Sequence, residues 1–342
     1  MGIRKNSAIL KCFLVGLILA VFLAVLYVNA LVNPVYPESK NKLIAVIIPS
    51  RTSSAAVSKI LYEHGLIRAP LVFQVYSRLK GVDDKLKAGR YCFSLTQGVP
   101  EITAQLVKGP EPVTFTVPEG FNVYQIANLL DRRGLVEKEA FLEAVASENF
   151  NYSFLTSLPP GSRRLEGYLF PDTYQVGYGT KAREIIEMML NRFNWNVKNL
   201  NYEKKAQQAG LTLHQAVIIA SLVEREAKKE AERPLIAGVI MNRLKKGMPL
   251  QVDATVQYAL GSQRAKLYYK DLQVNSPYNT YKIPGLPPGP IACPGESSLL
   301  AAVKPSSTSY LYYVAKPDGS HVFARTLAVH NLNQKRYLPI EK

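Results

Sequence analysis

The chain has 342 residues, 47% of them apolar, which suffices for a terminal anchor and two or so packed units at the usual ~100–200 residues per domain. Its formal charge of +16 suits work beside an acidic surface or polymer. No zinc-ligand spacing, RNP-like aromatic motif or basic helical stripe supports nucleic acid as the partner, and the apolar segment described next favours the acidic surface.

The first predicted element is an anchor. The 21 residues from Cys12 to Val32 carry no charge, and a helix needs about 20 to cross a hydrocarbon core. Arg4, Lys5 and Lys11 precede it, so the positive-inside rule keeps residues 1–11 in the cytoplasm and exports everything after Asn33. Val28-Asn29-Ala30 would pass as a cleavage site, but the apolar run exceeds the roughly 7–15 residues of a signal core, which favours an uncleaved, single-pass helix. Residues 33–42, with Pro34 and Pro37 among polar neighbours, read as a short stiff linker.

Two stretches then match at an offset of 69 residues. The first is Val46-Ile47-Ile48-Pro49 with Val57, Ile60, Leu61 and Gly65-Leu66-Ile67; the second is Phe115-Thr116-Val117-Pro118 with Ile126, Leu129, Leu130 and Gly134-Leu135-Val136. Each predicts a strand, a Pro-led turn and an amphipathic helix stopped by glycine. Between them, Lys87 to Leu95 predicts a turn and strand, and Ile102 to Val107 a short helix. Units of this kind serve as glycan-binding modules or as scaffolds that set the height of the next domain. Three cysteines are too few for a disulfide framework; the spacing of Cys92 in this region and Cys293 far downstream does not decide whether they pair, and unpaired buried thiols are the favoured reading.

The segment richest in chemistry begins at Thr212, whose spacing to Gln215 is a capping-box pattern for a helix running to Ala227. Leu213, Val217, Ala220, Glu224 and Ala227 share one face of it. Glu224 thus falls in line with an apolar stripe, while Glu226 is turned about 200° away. A carboxyl on an apolar face resists ionisation and can act as a general acid; the competing reading is a stripe-edge glutamate with its head in solvent or paired to an arginine. Leu165 to Tyr174 combines Glu166 and Tyr168 with turn formers, and Asn275 to Pro290 is a Pro/Gly-rich loop carrying Tyr278, Asn279 and Tyr281. Loops with such rings and amides often line clefts for sugars.

These segments together resemble the endolytic murein transglycosylases, the YceG-like family. The resemblance rests on Leu165 to Tyr174, Ala220-Ser221-Leu222-Val223-Glu224-Arg225-Glu226, Asn242-Arg243-Leu244, Tyr278-Asn279-Thr280-Tyr281, Gly285-Leu286-Pro287-Pro288-Gly289-Pro290-Ile291 and His330-Asn331, in the family's order. It implies an α+β protein with an N-terminal transmembrane helix over 12–32, a small LysM-like β-α module over 43–110, and a mixed α/β catalytic region over 111–342. That region divides into a second β-α repeat, 111–160, and a catalytic core, 161–342. The resemblance also implies that Glu224, the first glutamate of the Val-Glu-x-Glu segment, is catalytic. Glu166, Tyr168, Ser221, Asp253, Tyr278, Asn279 and Tyr281 are the candidates for holding the substrate or assisting. Cys293 departs from the family, where Asn or Thr often precedes Pro-Gly.

The implied reaction cuts the MurNAc–GlcNAc bond within a glycan strand and leaves a 1,6-anhydro end. One glutamate can serve as acid and then base, so neither a second essential carboxylate nor a metal or cofactor is expected. The implied partners are peptidoglycan strands, the bilayer and, through work on nascent strands, peptidoglycan synthases; the implied location is the bacterial cytoplasmic membrane, with the catalytic part outside. A muramidase using Glu224 with Glu166 or Asp253, and a non-catalytic wall-binding protein, are the alternatives. A metallopeptidase is disfavoured because His64, His214, His321 and His330 form no His-Glu-x-x-His pattern, and a serine hydrolase because no Gly-x-Ser-x-Gly elbow occurs.

Overall fold

In a computed structural model of the chain, residues 3–38, 43–156, 158, 161, 163–177, 179–262, 264 and 267–337 are described, with side chains from residue 14 onward. The end of the expected linker, residues 39–42, lies outside them. The chain forms two compact units, residues 1–113 with 176–179, and residues 114–175 with 180–342.

The first unit opens with α1 (Ile3–Val32), whose stretch Leu14–Val32 has a mean hydropathy of 2.6 and no buried residue. Only its end, at Val32, packs on the core of the unit, and the exposed apolar stretch before it is long enough to cross a bilayer. β1 (Leu43–Ile48) follows, then α2 (Ser54–Glu63), α3 (Pro70–Leu79), β2 (Gly89–Ser94) and α4 (Val99–Lys108). β1 and β2 pair antiparallel, from Leu43 opposite Ser94 to Ile48 opposite Gly89. Ser53 caps α2 by accepting the Ala56 N–H, and Gly65 reverses the chain after it with φ +69°. Strand alternation points Tyr91 and Phe93 inward, where they join Val46, Val57, Leu61, Phe73 and Ile102 in one core. The same alternation turns Cys92 outward, so it is an exposed free thiol and not a buried one; Cys293 is buried and free as expected.

The second unit contains β3 (Val113–Thr116), α5 (Val123–Arg132), α6 (Lys138–Ser147), β4 (Thr173–Val176), α7 (Ala182–Asn199) and α8 (Tyr202–Gln208). It continues with α9 (Leu213–Glu226), α10 (Arg233–Lys245), α11 (Asp253–Leu260), α12 (Glu296–Val303), β5 (Tyr312–Ala315), β6 (His321–Ala324) and α13 (Leu327–Tyr337). Strands occur only as two-stranded sheets among the described residues, β1–β2, β3–β4 and β5–β6. The fold is a mixture of helix and small ribbons around a helical core. At its centre lies α9, packed by α12, α10, α8 and α11.

Candidate active site

α9 starts where the capping box puts it: Thr212 accepts the Gln215 N–H at 3.2 Å and donates its own N–H to the Gln215 side chain at 2.9 Å. Every residue from Ala216 to Val223 is buried. A helix covered on all sides has no single apolar stripe, so alignment with Leu213, Val217 and Ala220 does not distinguish Glu224 from its neighbours. The last turn, carrying Glu224 and Glu226, emerges from this packing in two directions.

Glu224 enters an ionic and capping arrangement. Its side chain is 6% exposed, and Oε1 accepts from the Arg233 guanidinium at 3.2 Å. Oε2 accepts the backbone N–H of Gly295, the N-cap residue of α12, at 3.0 Å. Arg233 is held in turn by Ser298 Oγ at 2.9 Å. The apolar surroundings expected for this carboxylate are therefore absent, and the arginine-paired alternative describes it. Ser221 does not reach it either: its hydroxyl donates to the Ile218 carbonyl and accepts the Ile291 N–H.

Glu226 faces a cavity of about 470 Å³, whose wall also includes Asp253, Tyr281, Tyr313, Arg243 and His330. Burial pushes its carboxyl up to about 7 and the negative charge of Asp253 adds to the rise, against the Tyr313 hydroxyl, Arg225 and the Ala254 N–H. A carboxyl poised there holds and releases a proton near neutral pH. Tyr313 is a protonated donor to it, since burial and then Glu226 push its hydroxyl well above the usual range. Tyr281 donates to Asp253 Oδ1, which fixes the second carboxylate at the first turn of α11.

The wall is braced from α10. Arg243 Nε donates to the Leu311 carbonyl at 2.6 Å, and Nη1 to the carbonyls of Pro249 and Leu250 at 3.1 and 2.9 Å. Asn242 donates to the Thr308 and Tyr310 carbonyls. These bonds pin the segment that enters β5 and so position Tyr313. His330 stacks on Tyr312 with ring centroids 5.0 Å apart, and burial, then Arg243, lower its basicity, so it is neutral at pH 7. Its Nδ1 is buried without a partner among the described residues.

Of the expected candidates, Asp253 and Tyr281 meet at this cavity. Glu166 does not line it. It is 2% exposed, accepts the Val123 N–H at the start of α5 and the Tyr258 hydroxyl at 3.0 Å, and burial pushes it up to about 8. Tyr168 is buried in an aromatic stack with Phe154 and Phe193, its hydroxyl 2.7 Å from His214 Nδ1. Asn279 is buried and donates to the Leu272 and Val274 carbonyls, which makes it a brace of its loop. Tyr278 lies over Tyr258, centroids 4.9 Å apart, beside a different cavity. Sequence reasoning passed over Glu226, Tyr313, Arg243 and His330 as site residues. Arg243 and His330 stood inside two of the motif segments, whereas Tyr313 lay outside all of them.

A cleft built on one carboxyl poised near neutrality, a second fixed carboxylate and tyrosine donors has the composition of an acid–base enzyme. A profile of the YceG-like family matches residues 46–336. The endolytic murein transglycosylase of Bacillus subtilis is 37% identical over 328 residues, covering 92% of this chain and 90% of that protein. That of Streptococcus pneumoniae D39 is 34% identical over 362 residues, covering 94% of this chain and 64% of the longer relative. A crystal structure of a YceG-like protein from Listeria monocytogenes superposes with a TM-score of 0.56 at 33% identity, covering 85% of this chain and 99% of that one. The chain belongs to the YceG-like family.

Proposed function

We propose that the protein is a membrane-anchored endolytic lytic transglycosylase of peptidoglycan and that Glu226 is its acid and base. The observation that carries the assignment is the Glu226 carboxyl at about 7 on the wall of an open cleft, with Asp253 beside it. Protonated Glu226 gives its proton to the oxygen of the MurNAc–GlcNAc bond as the C1–O bond breaks. The carboxylate left behind takes the proton of the MurNAc 6-hydroxyl as that oxygen bonds to C1. The proton lost in the first step is regained in the second, no water is consumed, and the product is a 1,6-anhydro end. The Tyr313 donor orients Glu226, and Asp253, on the same wall, would offset positive charge developing on the sugar ring.

Glu224, named by its place in the Val-Glu-x-Glu segment, is the second reading; its ion pair and its bond to Gly295 make it a positioning residue in the first. Digestion of purified glycan strands by Glu226→Gln and Glu224→Gln, read by mass spectrometry, separates them. Glu226→Gln is expected to fold and to lose roughly 10²–10⁴-fold in rate, the usual share of general acid–base catalysis. Glu224→Gln is expected to melt earlier while still forming anhydro ends. A folded, inactive Glu224→Gln beside an active Glu226→Gln would reverse the roles. A reducing end, heavier than the anhydro end by one water, would make the enzyme a muramidase.

Supporting the anchoring is the exposed apolar stretch Leu14–Val32 after three positive charges, with the N-terminus cytoplasmic and the second unit outside. The β-α module of residues 43–110 is read as LysM-like, guiding nascent strands beside the synthases that make them.

A further inference from the structure

A second cavity, of about 460 Å³, adjoins the Glu226 cleft and carries two arginines in its lining. Consecutive residues line the two: Arg225 and Ala254 face this one, Glu226 and Asp253 the cleft. No Asp or Glu lines it among the described residues. Its polar wall includes carboxamides, among them Gln125 and Asn128 one turn apart on α5, together with Arg163, Arg225 and the hydroxyl of Ser262. Arg225 is fixed at the wall by donating to the Gly120 carbonyl at 3.2 Å.

Arg163 is the telling residue. Its guanidinium lies 4.7 Å from the centre of the Tyr258 ring and 5.8 Å from that of Tyr278, and it makes no ion pair among the described residues. The acid that feels its charge, Glu166, is buried and already bonded to the Val123 N–H and the Tyr258 hydroxyl. Its carboxyl, pushed up to about 8, is mostly neutral at pH 7 and leaves the charge of Arg163 uncompensated. A planar donor stacked on tyrosine and facing a groove without acids is built for a carboxylate. Carboxamides offer a donor and an acceptor together, which matches the amide bonds of a peptide.

We propose that this groove binds the peptide stem carried by the glycan next to the bond being cut, with Arg163 taking a stem carboxylate. The proposal rests on the transglycosylase reading, because the cleft next door must hold the strand. The strand would then be gripped at two chemically different points, sugar at Glu226 and peptide at Arg163, and stem-bearing strands would be favoured over naked ones.

The test uses the full-length protein in detergent with two substrates, stem-bearing strands and the same strands stripped of stems by an amidase. For the wild type, KM on stem-bearing strands is expected to be lower. Arg163→Gln should raise the ratio of stem-bearing KM to naked KM about tenfold with little change in kcat, and Arg163→Lys should restore part of it. An unchanged ratio in Arg163→Gln overturns the proposal, and so does an equal rise on both substrates. Direct binding of a soluble muramyl peptide, followed by calorimetry, reads the groove without turnover. Wild type should bind about tenfold tighter than Arg163→Gln, and equal binding overturns the site. Absence of anhydro ends from either substrate would refute the transglycosylase reading while the binding measurement still decides the groove.

Discussion

Glu224 and Glu226 lie two positions apart on α9 and meet opposite chemistry. The first is bonded to a cation and to a helix N-terminus; the second has the Tyr313 hydroxyl, with burial and the charge of Asp253 raising its carboxyl. Two consequences of burial can be measured. With Glu226 as the general acid, kcat/KM should fall as pH rises through about 7, close to tenfold per unit beyond it. Asp253→Asn removes one of the two influences that raise this carboxyl, so the alkaline limb should move to lower pH. A pH–rate profile that ignores the Asn substitution would count against the pair. The other consequence concerns stability. Glu166 is raised in the folded state to about 8 from an ordinary 4.5. Between those values the folded chain binds the proton that the unfolded chain has released. Its contribution is complete below the ordinary value and is lost as pH rises toward 8. Glu166→Gln keeps an acceptor for the Val123 N–H and the Tyr258 hydroxyl but cannot ionise. Its melting temperature should therefore decline less between pH 5 and 8 than that of the wild type, and parallel curves would show that Glu166 does not titrate in that range.

Among elements, α10 packs beside α9 and holds the cleft wall through Arg243. The Arg243 fork satisfies carbonyls of Pro249, Leu250 and Leu311 from one planar group, which the single ammonium of lysine cannot reproduce. Arg243→Lys should cost about 2–4 kcal/mol in denaturant melts, as buried carbonyls lose their partners. It should also slow turnover by releasing Tyr313; unchanged stability and rate would remove Arg243 from the wall. The elements themselves were readable wherever their cause is local. The capping box of Thr212 and Gln215, the glycine stops at Gly65 and Gly134 and the alternation of β1 each depend on neighbours a few residues away. What the sequence could not display is the burial of α9 on every side. That depends on α8, α10, α11 and α12, whose residues lie up to some 80 positions along the chain. For the same reason, alignment with an apolar stripe does not separate Glu224 from its neighbours. Tyr313 escaped notice because a tyrosine in a strand reads as packing until α9 and α11 bring Glu226 and Asp253 to it.

At the scale of the whole molecule, the division of labour follows from where each core lies. Val46, Leu61, Phe73, Phe93 and Ile102 pack within the first unit. Glu226, Asp253, Tyr281, Tyr313 and Arg243 all belong to the second. The chemistry should therefore survive loss of the first unit, while the choice of where to cut should not. The segment 33–42 can span at most ~3.3–3.6 Å per residue, so on the proposed anchoring it is the first unit whose removal should change where strands are cut. Deleting residues 43–108 from the anchored protein is expected to leave the rate of anhydro-end formation on free strands within about threefold, since no residue of the acid–base cleft is touched. On strands still growing from the membrane, the same deletion should broaden and shorten the product lengths, because the cleft now meets the strand closer to its point of synthesis. Chromatographic sizing of the two digests reads both effects. A folded deletion variant that is inactive on free strands would mean that the first unit completes the cleft, and identical product lengths on growing strands would mean that something other than this unit measures the distance.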